Sequence, residues 1–132
     1  MLLRLQGGML LLAVPAIFLP FTWMAAVHAW LGLGELPQTP VVEYLVRSLS
    51  GMYAFWGPIF LFLAADVHRY LPLVRFVARL QIVFGVGMLV LDTVVGMPLP
   101  WIISEGPVIV ALSLVALSLA RRIPSDREKE MS

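Results

Sequence analysis

Six side chains in this sequence could do chemistry: His28, Glu43, Arg47, Tyr53, Asp92 and Glu105. Each lies inside or beside a long apolar run, where an ionisable group is costly and is a functional candidate on that ground. Asp92 stands four residues before Gly96, and Glu105 stands four residues after Trp101. Between them runs the turn Met97-Pro98-Leu99-Pro100. Counted from the outer ends of their helices, His28, Arg47, Asp92 and Glu105 reach one layer, roughly 6–9 Å deep at 1.5 Å per residue. Glu43 lies slightly higher. Glu43 and Arg47 are spaced i,i+4 with the acid first, the better order for a pair. The charge balance of the layer is three potential negatives against one fixed positive. Arg47 is expected to reach Asp92 or Glu105, because Glu43 is nearer water, where an ion pair gains little. Such a layer could bind a polar headgroup or a partner helix. It could also move a proton, with Asp92 or Glu105 as donor or acceptor and Arg47 stabilising charge. A purely structural reading stands beside these, since buried ion pairs can fix helix register without a ligand. For His28 that reading is contact with headgroups, for Glu43 a solvated acid near a helix start, and for Tyr53 packing.

The elements that must position these groups are apolar helices. The chain has 132 residues, of which 61% are hydrophobic and 13% charged. Soluble domains carry about a quarter charged residues, and the mean hydropathy here is +0.94. A soluble chain this small could not hide so much apolar surface, so the class is integral membrane, without room for a separate soluble domain. Four apolar segments are predicted, over about 8–33, 41–65, 73–96 and 101–120. Each has the roughly 20 residues that a ~30 Å hydrocarbon core demands. The predicted fold is all-α: a four-span transmembrane bundle over 1–122 with proline-kinked helices, then a polar cytoplasmic tail over 123–132. Thr39 is placed to cap the second helix, with Pro40 at its first position. Outside the layer, the basic residues Arg4, Arg69, Arg75, Arg79, Arg121, Arg122, Arg127 and Lys129 all fall on one side of four spans. The opposite loops hold no Lys or Arg, so both termini are expected in the cytoplasm. Arg4 and the apolar run after it resemble a secretory signal, with Val27-His28-Ala29 as a cleavage motif. The apolar stretch over 8–33 is too long for a signal core and is expected to be a retained helix.

Polar and small residues make stripes at helical spacing. The second helix carries Glu43, Arg47, Ser50, Gly51 and Ala54 on one face. The third carries Gln81, Gly85, Met88 and Asp92, and the fourth Glu105, Ile109, Leu112, Ser113 and Ala116. Small residues along such stripes let membrane helices pack closely. Pro15, Pro20, Pro58 and Pro107 each free a carbonyl four residues earlier, which must find a partner inside the protein. Pro107 also biases the residue before it away from helix. Glu105 is therefore expected at a distortion or in a first helical turn. With no cysteine, thiol catalysis and thiolate metal sites are excluded. The spacing of His28 and His68 supports no metal site. No phosphate-cradling, zinc-protease or nucleophilic-serine motif is present, and a net charge of +1 gives no sign of a nucleic-acid partner.

The segment Arg47-Ser48-Leu49-Ser50-Gly51-Met52-Tyr53-Ala54-Phe55-Trp56-Gly57 resembles the R-x3-G-x-Y-x3-G pattern of small, uncharacterised bacterial membrane proteins of the DoxX-like group. Arg75, Arg79, the exit Asp92…Gly96-Met97-Pro98, and Glu105 fit the same pattern. The resemblance implies a four-helix bundle in a bacterial cytoplasmic membrane, and some such relatives are partners of redox enzymes. The expected function is that of a binding or accessory membrane protein without a cofactor. Its ligand site, Arg47, Asp92, Glu105, His28, Glu43 and Tyr53, would open toward the outer leaflet. Expected partners are membrane lipids, a lipophilic small molecule, a membrane protein or a second copy. Alternatives are an acid–base enzyme on a lipophilic substrate and an oligomeric transporter or channel.

Overall fold

The computed structural model describes residues 1–123, so the tail expected over 123–132 lies, but for Ile123, outside the described residues. Among the described residues the regular structure is entirely helical. Three stretches are long and apolar enough to cross a membrane: Pro40–Ala65, Leu71–Val95 and Leu99–Arg121. They match three of the four expected spans to within two residues at each end. The chain divides into two compact units, Met1–Ala65 and Asp66–Ser132, and each is described by itself.

In the first unit the single helix expected over 8–33 is instead three: α1 (Leu2–Leu11), α2 (Val14–Phe18) and α3 (Phe21–Trp30). The sharper of the two breaks, between α2 and α3, falls at Pro20. Its ring crowds the residue before it, so Leu19 is extended with ψ 143°, and Pro20 itself has ψ 142°. Two extended residues in succession end a helix rather than kink it. Pro15 sits at the milder interruption between α1 and α2, where Leu12 and Ala13 stay near helical angles with ψ −13° and −15°. Its missing amide falls in the first turn of α2, where a proline is tolerated. Together α1 and α2 form a shorter apolar stretch, Leu2–Phe18. The long helix of this unit is α4 (Pro40–Ala65), which runs through Pro58. It starts where expected. The Thr39 hydroxyl accepts the Val42 amide at 3.4 Å, and the Thr39 carbonyl accepts that of Glu43 at 3.0 Å. The helices α1 and α4 pack antiparallel, and their backbones nearly touch at Gly7 and Gly57. A Cβ on Gly7 would lie 2.9 Å from the Gly57 carbonyl oxygen, and one on Gly57 would lie 3.0 Å from that of Gly7.

The second unit contains α5 (Leu71–Val95), α6 (Leu99–Ser104) and α7 (Gly106–Arg121). Helix α5 ends at Gly96, whose φ of 79° is left-handed and whose amide and that of Met97 both bond the Asp92 carbonyl. Its inner face is Leu71, Val74, Ala78, Gly85 and Asp92, all buried, with Gln81 and Met88 half-buried between them. This is an alternating three-and-four spacing, the seam of a coiled coil. Helix α7 presents a matching seam of Gly106, Ile109, Ser113, Ala116 and Ala120. The two run antiparallel and approach most closely at Gly85 and Gly106. A Cβ on Gly106 would lie 2.6 Å from the Gly85 carbonyl oxygen and 2.8 Å from the Leu89 amide nitrogen. The outer face of α5, with Phe76, Leu80, Val83, Val90 and Val94, is apolar and exposed.

Candidate functional site

In the first unit Arg47 finds all of its described partners locally. Its Nε and Nη2 donate to Glu43 Oε1 at 3.0 and 2.8 Å. Nη1 donates to the carbonyl of Ile17, and Nη2 to that of Leu19 at 3.2 Å. These are the carbonyls that the break at Pro20 leaves without amides. A guanidinium offers five N–H donors in a fixed fork, which suits one carboxylate and two carbonyls at once. The positive charge also sits at the C-terminal end of α2, the favoured end for a cation. The expectation that Glu43 would lose this competition is therefore corrected: Glu43 holds the guanidinium, because Arg47 is turned toward the broken end of α2. The side chains of Arg47 and Glu43 are 31% and 43% exposed, so their charge attraction is modest and the carbonyl bonds matter more. Arg47 is thus engaged as a clasp.

The other candidates of this unit are similarly placed. His28 is half-buried near the end of α3, and its Nδ1 lies 3.1 Å from the Gly34 carbonyl oxygen. It fastens the loop that follows α3. Tyr53 is half-buried on the Glu43–Arg47 side of α4 and is engaged within the protein. Of the stripe read from the sequence, Glu43, Arg47, Ser50 and Ala54 are half-buried, whereas Gly51 faces open space, with nothing within 4 Å of a Cβ built there.

The second unit brings Asp92 and Glu105 into electrostatic contact. The antiparallel register explains why. Leu89 meets Gly106, and Asp92 is three residues on, about 4.5 Å further along the same face of α5. That places it beside the junction of α6 and α7. Glu105 forms that junction, with φ −95° and ψ −84°, outside the helical region. The expected distortion before Gly106-Pro107 is present, and the Glu105 carbonyl still accepts the Ile109 amide at 3.1 Å. Its side chain is fixed by Trp101, whose indole Nε1 donates to Oε2 at 2.6 Å. The i,i+4 spacing of Trp101 and Glu105 is the sequence signal for this bond.

Asp92 differs from every other candidate. It is 4% exposed, and its Oδ2 is buried with no hydrogen-bond partner among the described residues. A buried carboxylate oxygen without a donor is costly, and native proteins leave few such groups. The arrangement offers an acceptor to whatever enters, next to a second acid already oriented by an indole. Compared with protein-family models, with curated proteins and with solved structures, the chain matches none.

Proposed function

We propose that this chain is a multi-pass membrane protein that binds a small amphiphile at Asp92 and Glu105. The single observation that carries the reading is the buried, unpartnered Oδ2 of Asp92. An intramembrane acid is expensive to keep, and here no internal bond accounts for that oxygen. The apolar exterior and the three span-length helices support residence in a bilayer. The one-sided basic residues support a fourth crossing by α1 and α2, with both termini in the cytoplasm. Their 17 residues, Leu2–Phe18, reach about 25 Å, the short end of what spans a bilayer. The resemblance to DoxX-like proteins agrees with this reading and rests on the sequence pattern alone.

Arg47 belongs to the scaffold in this proposal, and the ligand contacts belong to the second unit. The test is native mass spectrometry of the protein released from neutral detergent, wild type beside Asp92→Asn. Wild type should carry a lipid or other small amphiphile that the variant lacks. Identical bound mass in both proteins would refute binding at this site.

A further inference from the structure

Between Leu80 and Ala120 the second unit holds two carboxylates, Asp92 and Glu105, and no cation. Residues 80–120 contain no Lys, Arg or His. The donors in that stretch are committed elsewhere. Thr93 donates to the Leu89 carbonyl, Ser104 to Trp101, Ser113 to Ile109 and Ser118 to Val115. The Trp101 indole is on Glu105. The one side-chain amide, Gln81, lies eleven residues down α5 from Asp92, about 16 Å away at 1.5 Å per residue. The nearest arginine in sequence, Arg79, is further still. Arg75 is committed to the end of α7, donating from Nη2 to the Ala120 carbonyl at 2.7 Å.

A ligand for such a site must bring the donors and the positive charge itself. Buried carboxylates are tolerated when paired and hydrogen-bonded. An anionic headgroup would add to the repulsion. Among the described residues no third acid or histidine joins the two carboxylates to make a metal-binding group. A primary ammonium fits: a compact positive charge with three N–H donors, the same chemistry as a lysine head. We propose that the site takes the protonated amine of a lipophilic amine, one N–H to Asp92 Oδ2 and another to the Glu105 carboxylate. The inference rests on the amphiphile-binding reading and narrows its headgroup.

The test is titration of the full-length protein in dodecyl maltoside with three probes that share a chain: dodecylamine, dodecyltrimethylammonium and dodecanoate. Binding is read by the shift in melting temperature and by native mass spectrometry. Dodecylamine should bind wild type at least tenfold more tightly than dodecyltrimethylammonium, which has the charge without the donors. Dodecanoate should bind least. Asp92→Asn should lose at least tenfold in dodecylamine affinity while melting no lower than wild type when unliganded, because Oδ2 makes no hydrogen bond that the change would break. Glu105→Gln should weaken the amine as well, and supplies the comparison if the asparagine variant does not fold. Equal dodecylamine affinity in wild type and the folded variants would overturn the proposal, as would a preference for dodecanoate. If dodecylamine fails but wild type retains a neutral lipid that Asp92→Asn lacks, the amine falls and the amphiphile site stands. If neither probe nor lipid distinguishes the two proteins, both fall.

Discussion

At the scale of the residue, two arginines do the same task in different places. Arg47, on α4, donates to the carbonyls at the broken end of α2. Arg75, on α5, donates to the carbonyls of Ala120 and Ile123 at the end of α7. Each satisfies acceptors that a helix terminus leaves open, and each puts a cation where the helix dipole is negative. Hydrogen bonds to a charged group contribute about 1.5–3 kcal/mol each. Arg47→Ala should therefore cost about 2–3 kcal/mol, less than the sum of its bonds because water reaches part of the side chain. Arg47→Lys should recover little of this, since a single ammonium cannot reproduce the planar fork. Glu43→Gln should cost under about 1 kcal/mol, as expected for a part-exposed pair. Unfolding by sodium dodecyl sulfate in mixed micelles measures all three. Full recovery in the lysine variant would show that charge alone, and not the two carbonyl bonds, explains Arg47.

At the scale of the element, each unit is closed by a pair of glycines. Gly7 meets Gly57, and Gly85 meets Gly106, with backbone atoms on both sides of the contact. Backbone cannot swing aside as a side chain does. Gly106→Ala should thus separate α5 from α7 and cost about 1–3 kcal/mol, the usual range for overpacking. Gly87 is the control. It lies on the same helix as Gly85 with nothing within 4 Å of its would-be Cβ, so Gly87→Ala should be neutral or add about 0.5–1 kcal/mol. A pair of melting curves decides it, and equal effects at 87 and 106 would count against the close crossing. Much of this level was legible beforehand. The stripe of Gln81, Gly85, Met88 and Asp92 faces inward because periodicity and residue size point the same way. The break at Glu105 follows from pre-proline sterics, which need no tertiary information. The break at Pro20 was not legible, because membrane helices often continue past proline, as α4 does past Pro58. What decides the matter is a donor for the freed carbonyls, and that donor, Arg47, comes from 30 residues away in sequence. The Trp101–Glu105 bond was hidden for another reason: i,i+4 spacing permits a contact on a helix, but the chain breaks at Glu105 itself, so the spacing alone did not show the two side chains meeting.

At the scale of the whole molecule, reporter fusions count the crossings. Within 66–72 and after Ser132 they should read cytoplasmic, and within 34–40 they should read external. A reporter ahead of Met1 separates the two possible counts: cytoplasmic for four crossings, external if only the three long stretches cross. The glycine crossings and arginine clasps also bear on how the chain is made. Gly7, Ile17, Leu19, Arg47 and Gly57 all fall within the first 65 residues, so the first closure needs nothing that the ribosome has yet to synthesise. The second needs only Arg75 through Ile123. Insertion should then proceed as two hairpins zipped in turn, without a long wait for distant partners, and tension on stalled nascent chains would register it as two separate pulls. The first pull should come as Gly57 clears the translocon, and Gly57→Leu should abolish it while leaving the second in place.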